Sequence, residues 1–399
     1  MTSPLSRRSL LAMGGATAAL AVTGLPAVAD TGRVTPVIAW NRTLLGVVRT
    51  QGAHPATVHP TRTFAMMHAA MHDAVGRTRS HAAAASQAAH DVLVALLPAF
   101  TKDFDAQLAR ELAVARDPEA GVRAGKWAAQ LVLRARANDG STATPTVPAP
   151  GTKPGEYRPT PPALANPVFT HWPSVRPFVL VQADVFRPVR YPRLASGQYS
   201  AALNEVVAFG QDTSVRRTDD QTVQARFWAA PIQNYWNEIA QAVLARGSTV
   251  TAARAFARLN IAFADGVIAF YEAKYHYRIW RPITAVRLAD TDGNPATTAI
   301  PTWSSLATTP ADPSYPGAHS VIAQAGATIL RHEAGTRQVL SVTSEATPGI
   351  VRHFETFQQA ADEAGLSRIF AGVHTRLDHV VGQQLGFDVA RSVLTAIGR

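Results

Sequence analysis

Residues 251–282, TAARAFARLNIAFADGVIAFYEAKYHYRIWRP, read as one long helix running from Thr251 to about Ile279. Lys274 and Arg281 sit near its end, seven residues or about two turns apart, which on one helix puts both on the same face. Pro282 then stops the helix where Arg281 reaches outward. Working outward, further helices are expected at Thr63–Val75, Gln87–Leu97, Gly197–Phe209, Thr218–Ala229 and Ile232–Arg246. Asp103–Ala137 is helical with a break near Asp117-Pro118. Toward the C-terminus the expected helices are Pro316–Glu333, Arg352–Gly365 and Leu366–Ile397, the last with a kink or break. No strand-like alternation rises above noise, so the fold class is all-α, built as helical bundles.

One segment differs in character. Residues 138–192 carry twelve of the 27 prolines and little helical pattern. Tyr157, Phe169, Trp172 and Phe178 within it need burial, so it reads as an ordered wrap over the helices. Residues 30–399 then form a single helical domain, with 200–399 as its motif-bearing region.

The chain of 399 residues is 47 % hydrophobic, ample for a sizeable core. It has no cysteine, which excludes disulfides and thiolate metal sites. The net charge of +10 is spread without a basic run, which suits anionic small molecules better than nucleic acid. The N-terminus reads as an export signal: Ser6-Arg7-Arg8-Ser9-Leu10-Leu11 is a twin-arginine pattern, and Ala27-Val28-Ala29 is an A-x-A cleavage site before Asp30. Removing residues 1–29 takes the charge to +8 and leaves a secreted, extracellular protein. No other stretch approaches ~18 uninterrupted apolar residues, so no membrane role is expected of the mature chain.

Three short segments carry chemistry: KYHYRIWRP (274–282), PSYPGAHS (313–320) and SRIFAGVHTRLD (367–378). Lys274 is a point charge, while Arg281 and Arg368 are planar forks suited to tetrahedral oxyanions. Pro316 suits the first position of a helix, so Gly317, Ala318 and His319 would present free backbone N–H groups to an anion, with His319 beside it as acid/base. His374 and Asp378 are four apart, the spacing for a carboxylate that orients an imidazole. Taken singly, each segment has a plainer reading as a solvated basic face, an ordinary helix start or a helix-surface pair.

In order and spacing, the three segments resemble the three-part signature of the vanadium-dependent haloperoxidases and the type 2 phosphatidic acid phosphatases. PGEYRPTPPA (154–163) is similar to a segment of secreted bacterial members of the haloperoxidase group. The resemblance implies vanadate as cofactor, with His374 as its vanadium ligand. Lys274, Arg281, Gly317, Ala318, His319 and Arg368 would complete the oxyanion site, and His319, His374, Asp378 and Lys274 the catalytic set. Hydrogen peroxide, a halide and a small organic acceptor would be the partners. The alternative is an acid phosphatase acting on phosphate esters, with His374 as nucleophile and His319 protonating the leaving group. A third reading is a catalytically altered oxyanion-binding homologue. The middle motif departs from the usual P-S-G-H: Gly317-Ala318 replaces Ser-Gly, so a donor hydroxyl is missing.

Two other groups invite attention. His68 and His72 have helical metal-site spacing but lack the glutamate of the zinc-protease pattern, and Asp73 follows them. Tyr271, Tyr275, His276 and Trp280 surround the first motif and serve either as core or as substrate pocket.

Overall fold

The computed structural model describes residues 34–54 and 58–398. The twin-arginine segment and its expected cleavage site lie outside them. Thirteen α-helices and one two-stranded sheet form the described part, and none of the helices is long and apolar enough to cross a membrane. The long helix α9 spans Thr249–Tyr277 and is buried along most of its length. Around it pack α1 (Pro36–Arg49), α2 (His59–Val75), α8 (Ile232–Val243), α11 (Ala318–Ala334) and α13 (Arg376–Ala396). The helices α3 (His81–Leu96), α4 (Thr101–Ala113) and α5 (Pro118–Arg136) build outward from α2, and the expected break at Asp117-Pro118 separates the last two. One buried apolar cluster runs through all of these from Val37 to Val393.

The 138–192 segment is irregular and bound tightly to the helices. Tyr157 and Trp172 are buried, and Phe169 and Phe178 pack against the core, each such burial being worth ~1.5–3 kcal/mol. The buried Asp265 of α9 accepts the backbone N–H groups of Phe178, Val179 and Leu180 at 2.6–3.0 Å. The segment also reaches the chemistry. Tyr157 N–H donates to the Arg278 carbonyl at 2.7 Å, Trp280 N–H to Gly155 at 2.9 Å and Val168 N–H to Ala311 at 2.9 Å.

Three expectations change. The helix α9 ends at Tyr277, where Arg278 turns left-handed (φ 49°), so Lys274 and Arg281 are not on one helix. Arg281 is instead the extended cap of α10 (Pro282–Arg287). The physical reason is that Pro282 fits the first position of a new helix and forces the residue before it out of helical geometry. Second, α11 begins at Ala318 with Gly317 as its cap, and Pro316 lies before it. Third, Arg352 belongs to a strand. The strands β1 (Arg337–Thr343) and β2 (Val351–Thr356) pair antiparallel, and α12 follows at Phe357–Phe370. The hairpin buries Leu340, Val342 and Phe354, too few alternating positions to stand out in sequence. Of the kink or break expected in the last helix, the structure has the break, over residues 371–375 between α12 and α13.

Candidate oxyanion site

Glycines bring the second and third motifs together. A Cβ on Gly382 would lie 2.7 Å from the Gly317 carbonyl oxygen, and one on Gly386 would lie 2.2 Å from that of Val321. Only glycine permits this approach of α13 to α11. The first motif joins through the backbone, as Ser314 N–H donates to the Ile279 carbonyl at 3.0 Å.

His374 lies in the loop before α13, with Thr375 and Asp378 forming a reciprocal cap on that helix. Asp378 Oδ2 accepts from Thr375 N–H at 2.7 Å and Ser314 Oγ at 2.8 Å, and lies 3.3 Å from His374 Nδ1. The other ring nitrogen, Nε2, sits 3.2 Å from Arg281 Nη1. A guanidinium can only donate, so Nε2 carries the lone pair and Nδ1 the proton. Burial, then the nearby Arg281 charge, draws the His374 pKa down to about 3, so the ring is neutral. Burial would raise Asp378, but His374, Thr375 and Ser314 outweigh it and hold its carboxyl below the usual range.

The cations differ in what they have left to offer. Lys274 is wholly buried, and its ammonium meets the Pro313 carbonyl, the Ser314 carbonyl at 3.1 Å and Asp312 Oδ2 at 3.2 Å. Those three contacts use all three of its donors. Burial draws its pKa down to about 8, with Asp312 restoring part of the loss. Arg281 donates through Nε to the Asp312 carbonyl at 2.7 Å, through Nη1 to the Val373 carbonyl at 2.8 Å, and through Nη2 to the Asp312 carboxylate. Arg368, on the last turn of α12, is different: its Nη1 is buried without a hydrogen-bond partner. Burial and the Arg281 charge pull its pKa down to about 10.

His319 is half-buried in the first turn of α11 and donates through Nε2 to the Trp228 carbonyl at 2.9 Å. Its lone pair is therefore on Nδ1. Burial, then Arg368, lowers its pKa well below the usual value, with His374 and Lys274 adding to the effect. Arg281 touches both His374 and Asp312, the His374 N–H donates to the Arg368 carbonyl at 3.3 Å, and the charges of Arg368 and Lys274 bear on His319. The Gly317 N–H already donates to the Asp378 carbonyl at 2.9 Å, leaving Ala318 and His319 to offer backbone donors.

Asp312 is the member that sequence reasoning missed. It stands one residue before the quoted middle motif, where a lone acid in a loop carries no periodic signal. His68 is fully buried, meets Asn41 Nδ2 at 2.9 Å and stacks on Phe256. His276 is exposed, Tyr271 and Trp280 are buried, and Tyr275 donates to the Val168 carbonyl.

The family model of the VCPO second helical-bundle domain matches residues 254–399. The vanadium chloroperoxidase of Curvularia inaequalis is 26 % identical over 48 % of this chain, and the match spans 42 % of that protein. Two solved structures share the fold across most of both chains. A bacterial vanadium-dependent iodoperoxidase has TM-score 0.75 at 22 % identity, covering 92 % of this chain and 97 % of its own. A holo-type bacterial vanadium-dependent chloroperoxidase has TM-score 0.71 at 16 % identity, covering 91 % and 97 %.

Proposed function

We propose that this chain, a member of the superfamily of vanadium-dependent haloperoxidases and type 2 phosphatidic acid phosphatases, is a vanadate-dependent haloperoxidase that oxidises halide with hydrogen peroxide. The observation that carries the reading is Arg368 Nη1, a buried cationic donor without a partner, beside a neutral histidine with a lone pair. A buried unpaired donor is costly unless a ligand completes it. The donor set also fits vanadate: one imidazole nitrogen for the metal, and cations with helix-start N–H groups for its oxygens.

When bound, vanadate supplies an electrophilic centre that activates hydrogen peroxide. His374 Nε2 would hold it in exchange for its contact with Arg281 Nη1, and the Nδ1–H···Asp378 contact would aim the ring. Arg368 and the Ala318 N–H would bind its oxygens, while Lys274 and Arg281 supply positive potential in a site of low dielectric. His319 is neutral at working pH and its Nε2 is held by Trp228, so it would take a proton from peroxide at Nδ1. The oxidised halogen equivalent then reaches a small organic acceptor.

The test is bromide-dependent peroxide consumption by purified protein with and without added vanadate, alongside p-nitrophenyl phosphate hydrolysis without vanadate. Vanadate-dependent consumption that disappears in Arg368→Ala is the expected result. Phosphate ester hydrolysis without halide oxidation would replace this reading with the phosphatase one, His374 serving as nucleophile.

A further inference from the structure

We propose that Asp312 is an internal counter-ion that competes with the incoming anion for Lys274 and Arg281, and so makes the site selective for singly charged tetrahedral oxyanions. This deepens the proposed function and rests on its oxyanion site. The Asp312 carboxylate bridges the two cations: Oδ2 lies 3.2 Å from Lys274 Nζ, and Oδ1 accepts from Arg281 Nη2. All three residues are buried. The remaining Lys274 donors are taken by the Pro313 and Ser314 carbonyls, and Arg281 Nε by the carbonyl of Asp312 itself. An anion entering here feels the charge of Lys274 and Arg281 but finds their facing donors occupied.

The carboxylate is not free to swing away with its backbone. Ala311 on one side is held by Val168 N–H at 2.9 Å, and Ser314 on the other by the Ile279 carbonyl at 3.0 Å. Competition is therefore a fixed property of the site. Lys274, Arg281 and Arg368 carry three positive charges, and Asp312 and Asp378 two negative ones. His374 accepts from Arg281 at Nε2 and is therefore neutral, and His319 is a buried neutral ring held at Nε2 by the Trp228 carbonyl, which leaves one positive charge. A monoanion balances that charge. A dianion leaves a buried negative surplus, which a desolvated site opposes strongly.

The experiment is calorimetric titration at neutral pH with vanadate, mainly a monoanion when dilute, and with sulfate, a dianion. The wild-type protein is expected to bind vanadate and to bind sulfate weakly. Asp312→Asn adds one unit of positive charge, and its sulfate affinity should rise roughly tenfold or more, with a smaller gain for vanadate. Equal or weaker sulfate binding in the variant overturns the proposal, as does a failure of both proteins to bind either anion. Asp312→Asn leaves buried cations short of a counter-charge and can fail to fold. Lys274→Gln/Asp312→Asn removes both partners and restores the balance, so its sulfate affinity should not exceed that of the wild type; tighter binding would overturn the charge argument. Halide oxidation is not read in either titration, so loss of the peroxidase reading and loss of this one are distinguishable.

Discussion

The N–H of Gly317 donates to the carbonyl of Asp378 at 2.9 Å, tying the cap of α11 to the first turn of α13. The two residues are sixty-one positions apart, and this bond fixes His319 relative to His374. It also means that Gly317 offers the anion no backbone donor.

Gly317→Ser therefore adds a hydroxyl without removing a bond the anion uses. Its Cβ would lie 3.3 Å from the Asp378 carbonyl oxygen, so a shift of a few tenths of an ångström is needed. Ser320 is engaged with His379 and Ser314 with Asp378, so neither already fills the role. Vanadate binding should tighten about tenfold, for one added bond to a charged group. Equal or weaker binding in a titration would count against the missing-donor account.

The two site histidines should separate. His374→Ala should abolish vanadate binding and turnover together, because it removes the ligand nitrogen. His319→Ala should still bind vanadate while turnover falls by ~10²–10⁴-fold. Circular dichroism confirms the fold of each variant. Proportional loss of binding and turnover in both would show that the roles are misassigned.

Acid should destabilise the protein from pH 6.5 downward. Burial depresses His68 to about 3 in the folded state, and it depresses His374 to about 3 as well. Unfolded, both titrate near 6.5, so between these values the unfolded chain binds more protons and stability falls as pH falls. Each such histidine contributes ~1.4 kcal/mol per pH unit in that window. Melting temperature measured from pH 7 to 4.5 should decline throughout, and His68→Leu should shrink the decline. A flat profile down to pH 5 would contradict the buried, neutral state of these rings.

Gly386→Ala should separate α11 from α13. Its new Cβ would meet backbone at 2.2 Å, which no rotamer change relieves. The cost is about 1–3 kcal/mol, read as a lower melting temperature, and anion binding should weaken with it. Gly335→Ala is not an adequate control, because Gly335 has positive φ. Gly197→Ala has open space and should change neither property.

Export is expected through the twin-arginine route. Replacing Arg7 and Arg8 with Lys should retain the protein in the cytoplasm, and the secreted form should begin near Asp30. Unchanged secretion of the variant would exclude that route.

The sequence by itself determined that the chain is helical and which residues could serve an oxyanion. Periodicity is local, and it located α2, α6 (Gly197–Gly210), α8 and α9 to within a few residues at each end. The pairing of His374 with Asp378 was legible because the two stand only four residues apart, although His374 lies in the loop before α13 rather than on the helix. What only the tertiary structure decided was which donors are free. Lys274, Arg281 and Arg368 look alike as letters. Yet a loop residue 31 positions beyond Arg281 occupies donors of two of them, while the third keeps a buried donor without a partner. The wrap that holds that loop, the glycine contacts that close α11 on α13, and the hairpin that replaced the start of a helix share one cause. Each depends on atoms distant in sequence and adjacent in space, where burial sets the strength of a charge and the supply of partners sets its use.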